Sequence, residues 1–262
     1  MPVLAGQGDP ARSMALLWRT PSARTGPGPK PGLSVDAIVA AAIAVADTDG
    51  LAGLSMRAVA ERLGVTAMAL YTYVPGKNEL VDLMYDGAHA ELPGRYDLGQ
   101  GWRAAVTAWA TDLVRCYAGH PWVLQVSLAR PVLGPNEQAV VEALAWILRQ
   151  AGLPAAVARR VVSLLFYVAR GTAQTVAESR LAAAAGGASE QAWWSSRAAA
   201  LRQVAPDFAG RFPDSAWLAS AGAAHRPDDA TPYLEREAME AFTVGLTVLL
   251  DGIQAAMARN RR

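Results

Sequence analysis

Cysteine is nearly absent from this 262-residue chain. Cys116 stands alone, which excludes an intramolecular disulfide and suits a reducing cytosol. A single thiol of this kind reads as a small buried hydrophobe. Histidine is scarce too: His89, His120 and His225 are the only three, and none stands at a metal-ligand spacing from another. No metal site and no cofactor are expected. No glycine-rich phosphate loop follows a strand, and Asp228-Asp229 is a lone acidic pair. Serine, histidine and aspartate occur in any chain and mean nothing without geometry, so little speaks for an enzyme. No uninterrupted apolar run reaches the ~18 residues of a membrane span, and no membrane partner is expected. An excess of one charge is missing as well, the net charge being +1.

What is present is helix-forming apolar sequence. Hydrophobic residues make up 52% of the chain, ample for a sizeable core, and much of this is Ala, Val and Leu, which suits helices. Strand-type alternation is rare. The expected fold class is all-α.

Residues 54–77 are the most informative stretch. Ser55 is a good helix N-cap, with Leu54 and Val59 as its hydrophobic staple. Val59, Ala60 and Leu63 form one face. Gly64 suits the left-handed residue that ends a helix. Thr66 caps the next helix, with Val65 and Leu70 as staple, and Val74-Pro75-Gly76 ends it, since the residue before proline avoids the α region. Leu63, Val65 and Leu70 are expected in the core. Upstream, Ser34 caps a helix carrying Val35, Ile38, Val39, Ala42, Val45 and Ala46, closed by Asp49-Gly50. Two short helices about a tight turn, over a third, form a helix-turn-helix unit of roughly residues 33–75 whose last helix is exposed for a DNA major groove.

Ile38, Ala42, Gly50, the run from Ser55 through Met56, Arg57, Val59, Ala60, Arg62, Leu63, Gly64, Val65 and Thr66, then Leu70-Tyr71-Thr72-Tyr73-Val74 and Lys77, Glu79 and Leu80, resemble the tetracycline-repressor family. Residues 70–77 resemble the branch with a tetracycline-repressor-like C-terminal domain. The resemblance implies an all-α homodimer, with an N-terminal three-helix DNA-binding domain and a larger helical domain for ligand binding and dimerisation. The divisions expected are a disordered N-terminal arm over 1–32, the DNA-binding domain over 33–78, and the ligand-binding and dimerisation domain over 79–262.

Carried over from the family, Thr66, Ala67, Met68, Tyr71, Thr72 and Tyr73 lie on the recognition face, while Lys77 and Arg57 match backbone-contacting positions. Tyr71 and Tyr73 suit phosphate and sugar contacts that position without reading sequence, and Thr66 and Met68 suit a thymine methyl. A place in the core at the helix junction is the lesser alternative for Tyr71. The face lacks Arg, Asn and Gln for bidentate base readout. Specificity then falls to apolar contact and DNA shape, or to the arm, where Arg12, Arg19, Arg24 and Lys30 suit a backbone or minor-groove path; a passive tail is the other reading. Between residues 33 and 80, Arg57, Arg62 and Lys77 face Asp36, Asp47, Asp49, Glu61 and Glu79. Few phosphate contacts mean a shallow salt dependence.

Beyond residue 77 helical signals continue. Helices are expected over 79–92 (Leu80, Leu83, Met84 and Ala88 inward), 101–118 (Trp102, Val106, Trp109, Leu113 and Tyr117), 123–129, 135–151 (Val140, Val141, Leu144, Ile147 and Leu148) and 154–185. Residues 186–230 contain one short helix over 189–204; Pro206, Pro213 and Pro227 argue for loop in the rest, which suits a lid or a surface insertion. The last helix, 231–258, carries one stripe of Phe242, Leu246, Leu249, Ile253 and Met257 and a second of Ala238, Ala241, Gly245, Gly252 and Ala256. An all-round apolar helix is buried on both sides. The family's dimer interface places this helix and 154–185 in a four-helix bundle with their partner copies.

The family's pocket lies between its fourth helix and the long C-terminal helices. Candidates for it are His89, Trp109, Leu113, Tyr117, Trp146, Tyr167, Arg170 and Gln174; each also suits plain core or surface. The resemblance implies a cytoplasmic transcriptional regulator that binds double-stranded operator DNA and is released by a small, largely apolar effector. An architectural DNA binder without a ligand, and an all-α enzyme using the same pocket, are the rival readings.

Overall fold

Val3–Leu4 (β1) opens the computed structural model, which describes residues 3–20, 33–127, 129–185, 190–220 and 231–259. Asp9 caps the first helix, α1 (Pro10–Leu17), by accepting the Arg12 N–H at 2.8 Å. Pro10 sits at its start, where a missing N–H costs nothing. Residues 3–20, expected as part of a disordered arm, are therefore ordered. Their cause is tertiary: β1 pairs in parallel with a distant strand and α1 packs on a later helix. Residues 21–32, with Arg24 and Lys30, lie outside the described residues.

Ser34, Ser55 and Thr66 then set three helices: α2 (Val35–Gly53), α3 (Met56–Leu63) and α4 (Ala67–Tyr71). Each hydroxyl accepts a backbone N–H three residues on, at 3.1 to 3.3 Å, an interaction whose loss costs about 1 kcal/mol. Regular geometry in α2 breaks at Gly50, whose φ is +67°. Its buried stripe is Ile38, Val39, Ala42, Val45 and Ala46, while α3 buries Val59 and Ala60 and α4 buries Leu70. Leu63 and Val65, expected in the core, are only half-buried, because they flank the turn at the edge of the unit.

α5 (Lys77–His89) packs on α1 and α2 and on α7 (Pro135–Gln150), which lies against α6 (Trp102–Gly119). Leu80, Leu83, Met84 and Ala88 of α5, Val106, Trp109, Leu113 and Tyr117 of α6, and Val140, Leu144, Ile147 and Leu148 of α7 form the core between them. Residues 123–129 do not form the expected helix: a 3-10 turn over Pro121–Gln125 leads into β2 (Val126–Ser127), which pairs with Val3–Leu4. A pairing across more than a hundred residues leaves no local trace.

The long α8 (Ala155–Ala184) is followed by α9 (Glu190–Val204), α10 (Phe208–Arg211), α11 (Pro213–Ser220) and α12 (Tyr233–Arg259). Helix, not loop, follows Pro206, and Pro213 occupies the first position of α11, the one place a helix accepts proline freely. His225, Pro227 and Asp228-Asp229 lie outside the described residues. Over Tyr233–Ala258, α12 is long and apolar enough to cross a membrane by length and composition, although its apolar residues are interrupted in sequence.

Packing divides the chain into two units, Met1–Gln174 with Leu246–Arg262, and Thr175–Gly245. The helix-turn-helix and the helices that follow it thus share one packed unit. In it, Arg103 of α6 donates to Asp251 and Gln254 of α12 at 2.5 and 3.0 Å. In the other, Arg180 of α8 makes a two-pronged ion pair with Glu235 of α12 at 2.9 and 2.7 Å.

Candidate functional site

The left-handed Gly64, with φ at +68°, turns the chain sharply from α3 into α4. Leu70 and Val74 anchor α4 inward. Thr66, Met68, Tyr71 and Thr72 consequently point to solvent, with Ala67 and Tyr73 half-covered. Met68 is 75% exposed. Tyr71, also compatible with the core by sequence, is exposed. Arg57 is exposed on α3 and pairs with Glu61 at 2.8 Å. Lys77, exposed at the start of α5, donates to the Leu51 carbonyl at 3.3 Å, which fixes its stem beside the end of α2. Arg62, exposed in the last turn of α3, adds a cation near this surface that the sequence candidates omit.

The second set of candidates divides in two. His89 of α5 and Trp109, Leu113 and Tyr117 of α6 are all buried. His89 Nδ1 stands 2.7 Å from the Tyr85 carbonyl and its Nε2 3.2 Å from the Tyr117 hydroxyl. A neutral ring donating to the carbonyl and accepting from the phenol satisfies both. Burial holds its pKa down to about 4 and so keeps the imidazole uncharged. Burial also pushes the Tyr85 hydroxyl up to about 12 and Tyr117 well above its ordinary value. Trp109 donates to the Val140 carbonyl at 3.1 Å and meets Phe166 edge-on at 5.1 Å. Cys116 is buried beside this group, and burial raises its thiol to about 12, as befits an inert side chain.

The remaining candidates do not join that cluster. Trp146 is half-buried, with the Arg95 guanidinium 4.8 Å from its ring. Tyr167 and Gln174 stand on the exposed side of α8. Arg170 commits its guanidinium to the carbonyls of Val123, Leu124 and Val126, that of Val126 at 2.8 Å. One wall containing all eight is not what the helix phases give.

Three buried polar residues that sequence periodicity does not single out tie these elements together. His120, at the end of α6, places Nδ1 2.7 Å from Asp47 of α2 and Nε2 3.1 Å from Glu91. Burial opposes its charge, but the bonds and charges of Asp47 and Glu91 prevail and raise its pKa above 6.5. Trp122 donates to the same Asp47 oxygen at 2.7 Å. On α5, Asp82 accepts the Gly6 N–H at 3.1 Å on both oxygens. One turn later Asp86 accepts the Asn136 and Glu137 N–H groups at 2.9 Å and the Asn136 amide at 3.0 Å, satisfying the free donors at the N-terminus of α7. The only sequence hint was polarity at positions where the helix period demands apolar residues. Among the described residues, no cluster of three or more His, Cys, Asp or Glu is arranged to hold a metal.

Residues 38–84 match the family model described as bacterial regulatory proteins, tetR family, and residues 96–257 match that of the tetracyclin repressor-like C-terminal domain. The chain is 48% identical over 150 residues to the HTH-type transcriptional repressor DrrR1 of Streptomyces coeruleorubidus, covering 57% of this chain and 55% of that protein. It is 37% identical over 123 residues to an HTH-type transcriptional regulator of Saccharopolyspora erythraea, covering 47% of this chain and 52% of the relative. The chain thus spans about half the length of the curated relatives it matches. Its fold is that of apo ActR from Streptomyces coelicolor, with a TM-score of 0.67 and 23% identity over 87% of this chain and 98% of the other. The structure of ActR in complex with actinorhodin gives 0.66, at 26% identity over 86% and 97%. With matching models over both its helix-turn-helix and most of its remaining length, the chain belongs to the tetracycline-repressor family.

Proposed function

We propose that this protein is a ligand-responsive transcriptional repressor that binds operator DNA through the exposed face of α4. The observation that carries the reading is that face: Thr66, Met68, Tyr71 and Thr72 held outward by the Gly64 turn and the buried Leu70, with Arg57, Arg62 and Lys77 near it. Residues 33–78 then read DNA, and 79–262 bind the effector and dimerise. Thr66, Ala67, Met68, Tyr71, Thr72 and Tyr73 meet the groove, and Arg57 and Lys77 the phosphates.

The dimer forms through α8 and α12. Supporting this, Tyr167 on α8 and Val244 and Val248 on α12 are 63, 66 and 65% exposed, on helices whose other faces are buried. A partner helix accounts for the apolar length of α12 without a membrane, and the protein works in the cytoplasm. Two copies place their α4 helices in successive major grooves of an inverted repeat, about 34–36 Å apart.

The effector is a small, largely apolar molecule. Supporting this, His89, Trp109 and Tyr117, with Leu113 beside them, are buried apolar and aromatic groups that carry a neutral imidazole and a phenol, the lining such a molecule needs once the helices part to admit it, and ActR, of similar fold, is known in complex with actinorhodin. The effector acts by preferring the DNA-incompetent arrangement, since equal affinity for both shifts nothing. A regulator rather than an enzyme follows from family membership. Selection of bound sequences from a random DNA pool tests the reading. An enriched inverted repeat is expected; a folded protein that enriches no sequence overturns it.

A further inference from the structure

The N-terminal segment lies outside both matched spans, 38–84 and 96–257, yet it touches α2, α5 and the residues between α6 and α7. At one end Val3–Leu4 pairs with Val126–Ser127, and Val126 is one of the three residues whose carbonyls Arg170 of α8 holds. Ala5 is buried. Gly6 donates its N–H to both oxygens of the buried Asp82 on α5. Gly8 lies so close to α5 that a Cβ there would stand 2.2 Å from Glu79 Oε1. α1 then packs on α5, with Leu17 buried. At the far end Trp18 donates to the Leu133 carbonyl at 3.1 Å, ahead of α7. Arg19 donates through Nε and Nη2 to Asp36 at 2.9 and 2.7 Å, in the first turn of α2.

From these contacts we infer that residues 3–19 are an intramolecular strap, clamping α2, on which α3 packs, and α5 to the segment that carries Val126 and Leu133, so that a displacement of one moves the other. The strap holds that segment through Val126 and Leu133, and α2 at its start. A passive tail has no reason to bury backbone donors on a carboxylate that is itself buried. The part of the inference that concerns DNA rests on the function proposed above.

The test is amide hydrogen exchange on the full-length protein and its Gly6→Pro variant. Proline lacks the N–H that Asp82 accepts and cannot take the φ of +66° found at Gly6, while the rest of the sequence is unchanged. Exchange is expected to rise about tenfold over 126–133 and also over the first two turns of α2, at the other end of the strap. Arg19→Ala, cutting the opposite end, is expected to quicken 126–127. A rise confined to residues 3–20 in both variants overturns the strap.

Anisotropy titrations then use the inverted repeat enriched by the wild-type protein and its half-site. Gly6→Pro is expected to weaken binding of the full repeat about fivefold and to leave the half-site unchanged, because the strap sets where the reader stands and not what it touches. Unchanged affinity for both fragments overturns the coupling role. If the wild-type protein enriches no DNA, the proposed function fails by itself, and the exchange pattern alone decides the strap.

Discussion

His120 Nδ1 stands 2.7 Å from Asp47 Oδ1, joining the end of α6 to α2, the helix on which α3 packs. Glu91 approaches the other ring nitrogen. Because these partners raise the pKa of His120 above 6.5, the charged ring is favoured by folding. Its contribution is complete below pH 6.5 and disappears as pH rises through the higher folded value. Thermal melts from pH 6 to 9 are expected to show stability falling with pH, and His120→Gln to flatten that slope. An identical slope in the variant contradicts the assignment.

His89 carries the opposite sign. With its folded pKa down to about 4 from 6.5, it contributes stability above pH 6.5 that is lost as pH falls toward 4. His89→Gln is expected to lower the melting temperature at neutral pH, since Tyr117 or the Tyr85 carbonyl loses a partner, at about 1–3 kcal/mol. The same variant should show a shallower loss between pH 6.5 and 4. Melts of both proteins across that range make the comparison.

Asp86 holds three donors at the start of α7. Asp86→Ala leaves those groups without their acceptor in a half-buried place and is expected to cost about 1–3 kcal/mol. Chemical denaturation measures it, and a change below about 0.5 kcal/mol would show that water replaces the carboxylate without loss.

Met68→Ala removes an exposed side chain, so folding stability should change by less than about 0.5 kcal/mol. Affinity for the enriched operator should fall nonetheless, with relaxed preference at one base pair of each half-site. Lys77→Ala is expected to weaken all DNA sequences alike and to reduce the log–log salt slope by about 0.9. Titrations at several salt concentrations separate the two behaviours; an unchanged slope removes Lys77 from the phosphate contacts.

Val244→Glu combined with Val248→Glu places charge on the exposed face of α12. Sedimentation equilibrium is expected to find a dimer for the wild-type protein and a folded monomer for the variant. A variant that remains dimeric moves the interface elsewhere.

The sequence by itself determined the local structure and which side of α4 is left exposed. Ser34, Ser55, Thr66 and Gly64 state where α2, α3 and α4 begin and end, because capping and left-handed turns act over three or four residues. The spacing of Leu80, Leu83, Met84 and Ala88 likewise fixed the buried side of α5. Tertiary structure alone decided the rest. The pairing of Val3–Leu4 with Val126–Ser127, the Gly6–Asp82 bonds and the His120–Asp47 contact join residues about 70 or more positions apart, and a periodicity confined to one helix holds no record of such partners. Nor does it show that Arg170 turns to backbone carbonyls while Tyr167, three residues earlier on the same helix, stays in solvent. Which neighbour a polar side chain meets depends on how helices pack, and that packing is settled by the whole buried surface at once.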